Sequence, residues 1–281
     1  MTTDSGQLAR RLERLRALDR RLVLAADLPP PRPRPSFADP VERAERLALG
    51  LGGRVETMPS GPAVVVERRV ALPVDLEPLR RLPYAVDPAR PLISLDTETT
   101  GLGSSAGTVA FLIGVGRWVG TDFVTSQLLM ADHADEPALL EALAARIPVD
   151  GWLVTYNGRT FDWPLLETRY RMYGRRAPAH AGHLDLLPIA RGVWKHRLPD
   201  ARLASVEAAV AGVRRHEDVP GAMIPDRFFG WLRSGRAELL EDVLDHNRED
   251  VVSLGRLLGV MAEVLADPIR RRSEHPGDIA G

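Results

Sequence analysis

The sequence predicts an α/β fold in which a mixed five-stranded sheet carries helices on its faces, preceded by a poorly defined N-terminal extension. Three observations lead there. Short apolar runs of strand length (LISLD, GTVAFLIGVGRW, FVTSQLLM) succeed one another from residue 92. Helical periodicity then alternates with two further runs, WLVTYN and HLDLL. The last third is helix-rich and ends in the long segment RAELLEDVLDHNREDVVSLGRLLGVMAEVL.

Taken in order, residues 1–27 show a leucine repeat near helical spacing in an Arg-rich background and read as an amphipathic helix. The tract LPPPRPRPS predicts an extended polyproline spacer. Residues 28–90 as a whole read as a proline-rich linker and small accessory segment. They contain one helical run, VERAERLALGL, and one β-like run, AVVVERRVAL. The main domain spans 91–267. Within it EPALLEALAARI has helical periodicity, and DWPLLETRYRMYG reads as a helix with proline in its first turn. ARLASVEAAVAG and PDRFFGWLRSG are further helices, and residues 268–281 form a polar tail expected to be disordered.

Composition excludes several chemistries. A chain without cysteine has no disulfide framework, thiolate metal site or Cys nucleophile. No leader pattern opens it, and no run approaches the ~20 apolar residues that span a bilayer. A cytoplasmic protein with no membrane contact is expected. The net charge of −1 gives no global footprint for nucleic acid. Between Arg159 and His216, however, basic residues outnumber acidic ones by six. Lys195 is the only lysine, so the preference for Arg reads as coding composition rather than recognition chemistry.

The residues that carry chemistry begin in LISLDTETTGL. Asp96 and Glu98 stand at i and i+2, so on a strand both carboxylates face one side. At the end of a buried strand they repel each other and resist desolvation unless something neutralises them. A hard divalent cation is the natural partner; the bland alternative is a strand that ends at Leu95 and a solvated DTETTG turn. Gly101, Gly103 and Ala106, with Asp122 about twenty residues on, match a dinucleotide fingerprint. That motif must open a helix, and the strand-like TVAFLIGVG next to it argues against it. Asp162, after the strand WLVTYN, suits two roles. Asp before X-Pro is a good N-cap, and the start of a helix beyond a central strand also suits an active-site carboxylate. His246 and Asp250 lie four apart on one helical face. Alone, each reads as a surface or satisfied residue.

Together, DTETTG, YNGRTFD and HNREDV resemble the three acidic motifs of the DnaQ-like exonucleases of the DEDD group, which have an RNase H-like fold. The longer segments LDTETTGLGSSAGTVAFLIGVGRW, YNGRTFDWPLL, HLDLL, VPGAMIP and HNREDVVSL are similar to the YprB-type branch of that superfamily, over roughly residues 90–265. The resemblance implies a metal-dependent 3′–5′ exonuclease acting on single-stranded DNA or RNA ends. Asp96, Glu98, Asp162 and Asp250 would bind two divalent cations, Mg²⁺ or Mn²⁺, for a two-metal hydrolysis. His246 would serve as the catalytic base, although the spacing departs from the family. One subgroup places a His five residues before the last Asp and the other a Tyr four before it, whereas here a His has the tyrosine's spacing. Thr97, Thr99, Asn157, Phe161 and Asp185 are candidate substrate contacts, with Tyr156 and Trp163 as possible stacking partners for a base. Two other readings stay open: a non-catalytic nucleic-acid-binding scaffold, and a structure-specific endoribonuclease.

Overall fold

The computed structural model describes residues 39–81, 86–101, 107–194, 196, 198–213 and 219–267. The helix expected at 1–27, the proline tract and the tail 268–281 lie outside the described residues, as do Gly103 and Ala106. Helix α1 (Pro40–Leu51) begins where Asp39 accepts a hydrogen bond from the Val41 amide and Pro40 presets the first turn. It ends at Gly52, whose φ of 63° is the left-handed stop that glycine adopts without strain. Strands β1 (Arg54–Met58) and β2 (Gly61–Ala71) come next as an antiparallel hairpin.

The sheet then grows through β3 (Leu92–Thr99), β4 (Ala110–Val119) and β5 (Asp122–Leu129). Beyond these come β6 (Trp152–Thr155) and β7 (Gly182–Asp185). The strand order is β1-β2-β5-β4-β3-β6-β7. Seven strands stand where five were expected, because β2 pairs antiparallel with β5 from Val64–Leu129 to Ala71–Asp122 and brings β1 with it. The β-like run read as part of an accessory segment is thus hydrogen-bonded into the main sheet. Strands β3, β4 and β5 are antiparallel neighbours, while β6 and β7 run parallel beside β3, giving the mixed sheet expected. Among the described residues the first regular element after Gly101 is strand β4 and not a helix, which argues against the dinucleotide reading.

Helices cover both faces. On one side α1, α2 (Glu136–Ala144), α3 (Asp162–Met172) and α6 (Ile224–Ser234) pack on the sheet around Leu47, Phe111, Leu139, Leu166 and Phe228. On the other, α4 (Leu186–Trp194) and α5 (Leu203–Val210) pack with the later turns of α7 (Glu241–Ala266) around Leu186, Trp194, Leu257 and Met261. Helix α7 lies across β3, β4 and β5. This close approach requires Gly114 and Gly116 on β4. A Cβ at Gly114 would collide with the Asn247 amide and Val251, and one at Gly116 with Phe123 and Val251.

Two further contacts fix α3, whose first turn carries a candidate carboxylate. Arg169 makes a bidentate pair with Glu136 at 2.5 Å for each nitrogen, and the Tyr173 hydroxyl donates to the same carboxylate at 2.7 Å. Both charges are buried, so this is a desolvated tie between α2 and α3.

Candidate active site

Strand β3 is buried from Leu92 to Leu95, where Ser94 is the one polar residue, and polar from Asp96 onward. Its pairing with β4 shifts register between Glu98 and Thr99, a bulge at the carboxylate pair. Glu98 is buried and Asp96 half-buried. Asp162 is the first residue of α3 and half-buried. It is not the cap: Phe161 holds that position, and the Asp162 carboxylate accepts from the Thr97 hydroxyl at 2.5 Å. Asp250 and His246 lie one turn apart on α7. The His246 Nε2 stands 3.8 Å from Glu98 Oε1 and 3.7 Å from Asp250 Oδ2, within ion-pair reach of both carboxylates.

The four carboxylates therefore gather at one corner of the sheet. Burial pushes the Asp96 carboxyl well above the usual carboxylate range. The charges of Asp250, Glu98 and Asp162 push it the same way, and a hydrogen bond from Asn247 opposes them. Asp162 is raised too, by burial against the lowering effect of Thr97, with the charge of Asp185 adding to the rise. A cluster of hard oxygen donors that disfavours its own ionisation is the donor set a divalent cation suits. Among the described residues, no three His, Asp or Glu side chains already form a cation cage. The set fits the cation in chemistry, with Asp96 and Asp162 each tethered to a polar neighbour.

A cleft of about 260 Å³ opens beside this corner, lined by the polar Glu98, Asp162 and His246 and by the apolar Phe161, Leu165, Ile224 and Pro225. Thr97, Thr99 and Thr108 also face it. The Thr99 hydroxyl donates to the Gly101 carbonyl at 2.6 Å and so shapes the turn. Phe161 is half exposed, whereas Trp163 packs in the core and the Tyr156 hydroxyl donates to the Ala201 carbonyl. Of the three aromatic side chains considered for stacking, Phe161 lines the cleft and the other two do not.

Asp185 turns inward. Its carboxylate accepts from the backbone amides of Asn157, Arg159 and Leu187 at 2.7, 3.1 and 3.0 Å. It thereby secures the loop between β6 and α3, in which Asn157 has a φ of 68°. Much of the basic excess after Arg159 is also structural: Arg169 pairs with Glu136, Arg175 with Glu141 and Arg202 with Asp200. Lys195, Arg197, Arg214 and Arg215 lie outside the described residues.

Comparison with known proteins agrees with this architecture. A family model described as RNase_H superfamily (RNase_H_2) matches residues 93–262. The chain belongs to the RNase H superfamily. Its match with the uncharacterized protein YprB of Bacillus subtilis (strain 168) runs at 38% identity over 186 residues, 66% of this chain. The aligned region is 45% of the length of that relative. The RNase H superfamily segment contains all five predicted catalytic residues, from Asp96 to Asp250. It also contains two buried amides: Asn247, which the sequence leaves undecided between a hydrogen bond to the site and a local structural role, and Gln127, which no sequence signal singles out.

Proposed function

We propose that this chain is a metal-dependent 3′–5′ exonuclease that hydrolyses phosphodiester bonds at single-stranded DNA or RNA ends. The reading is supported above all by the meeting of Asp96, Glu98, Asp162 and Asp250, drawn from one strand and two helices, next to a cleft that Glu98, Asp162 and His246 line. These four carboxylates would hold two divalent cations, Mg²⁺ or Mn²⁺. When bound, the cations supply charge compensation for the scissile phosphate and for the leaving oxygen.

The chain's own groups divide the remaining work. His246 Nε2 is positioned to take the proton of an attacking water, between the two carboxylates that orient the ring. The exposed ring of Phe161 offers a stacking surface for a terminal base, and Leu165, Ile224 and Pro225 extend it as an apolar wall. Thr97 fixes Asp162, while Thr99, Asn157 and Asp185 shape the two loops that border the cleft.

An end-labelled oligonucleotide incubated with Mn²⁺ or Mg²⁺ tests the proposal. Stepwise shortening by the wild type, absent in Asp96→Asn, is the expected result; equal activity in both refutes it. A circular single strand, which an exonuclease leaves intact, separates end-directed from internal cutting.

A further inference from the structure

Asp96 receives a hydrogen bond from Asn247 Nδ2 at 2.9 Å, across 151 residues of sequence. Asn247 is fully buried on α7. Its Oδ1 accepts from Gln127 Nε2 at 3.1 Å, and the same Nε2 donates to the Leu244 carbonyl at 2.7 Å. Gln127 is buried on β5, two strands from Asp96 in the sheet, and Gly114 of the intervening β4 supplies the gap through which Asn247 reaches.

The polarity of this chain of bonds is determined at its far end. A carbonyl oxygen only accepts, so Leu244 requires the amide nitrogen of Gln127, not its oxygen. That nitrogen requires an acceptor from Asn247, which turns Asn247 Oδ1 towards it and leaves Nδ2 for Asp96. Reversing Asn247 would set its amide oxygen against the Asp96 carboxylate, and reversing Gln127 would set its amide oxygen against the Leu244 carbonyl, in a buried site where an unmet polar contact costs most.

We infer that Gln127 and Asn247 are positioning residues for the candidate metal site, locking one carboxylate oxygen of Asp96 so that the side chain keeps a single orientation. This inference rests on the nuclease reading. Neither amide contacts substrate; Gln127 acts through Asn247, and Asn247 through Asp96. Partners that orient ligating groups commonly change metal affinity or activity by about 10–100-fold when lost.

The test uses the full chain with Asn247→Leu, Gln127→Met and Gln127→Glu. Gln127→Glu replaces the donor by an acceptor beside Leu244 and is expected to reverse the Asn247 amide. Calorimetric titration with Mn²⁺ is expected to show affinity weakened by about 10-fold or more in Asn247→Leu and Gln127→Glu, with a smaller loss in Gln127→Met. In steady-state assays kcat falls while KM for the oligonucleotide stays within about two-fold, because the orienting amides lie outside the cleft. Thermal melts identify the variants that remain folded. A folded Gln127→Glu with wild-type Mn²⁺ affinity and wild-type kcat overturns the inference. If the wild type neither binds Mn²⁺ nor shortens the oligonucleotide, the nuclease reading falls by itself. The relay is then decided by a crystal structure of Gln127→Met: a reoriented Asp96 supports it, and an unmoved Asp96 overturns it.

Discussion

The Asp96 carboxyl stands in an environment that opposes its own charge. With its folded pKa above the usual 3.8, the native state holds the proton more tightly than the unfolded chain. Between those two values stability therefore falls as pH rises, and above the folded pKa the whole penalty is present. Asp96→Asn removes it. In chelator at pH 8 this variant is expected to melt roughly 2–4 °C above the wild type, the shift that ~1 kcal/mol produces in a domain of this size, while losing nuclease activity. His183 provides the opposite case. Burial lowers its pKa from 6.5 to about 4, with Nε2 2.8 Å from the Thr155 hydroxyl. In that interval the unfolded chain takes up a proton that the folded one excludes. Stability should drop as pH falls through 6.5 towards 4, and His183→Gln should flatten this limb in melting curves recorded against pH. The acidic motifs were readable as residues because their order and spacing are local facts. Whether Asp162 capped its helix was not, since the competing partner, Thr97, lies on another strand.

Among the elements, α7 and α3 determine whether the site exists. Helix α7 rests on β4 through glycine, and Asn247 cannot yield without losing Asp96 and Gln127. Gly114→Ala is expected to cost about 1–3 kcal/mol, as overpacking does, and to weaken Mn²⁺ binding with it, read by denaturant unfolding and calorimetry on one preparation. For α3 the buried Arg169–Glu136 pair is the tie. Arg169→Met leaves the Glu136 charge in the interior and is expected to cost about 3–5 kcal/mol. The main helices and the five strands β3 to β7 were legible from periodicity and apolar runs. Strand β1 was not. RVETM is a short edge strand whose Arg54 and Glu56 pair with each other, so no run of alternating apolar residues betrays it. The attachment of β2 to β5 was equally hidden, because pairing across some sixty residues leaves no local trace.

At the scale of the whole molecule, the proposed function would couple cation binding to folding. Anything that binds the native state alone stabilises it by mass action, about 2.7 kcal/mol when its concentration is 100 times Kd. Mn²⁺ is therefore expected to raise the wild-type melting temperature in a concentration-dependent manner and to leave Asp96→Asn unmoved, a comparison that needs no substrate. Among the described residues no helix is long and apolar enough to cross a membrane.

The bond from Asn247 to Asp96 joins positions 151 residues apart. A ribosome making this chain would deliver Asp96 and Glu98 early and hold them without His246 or Asp250 until α7 had cleared the exit tunnel. On the proposed function, the nascent polypeptide stays harmless to the transcript being translated beside it, and hydrolytic competence arrives only with that helix.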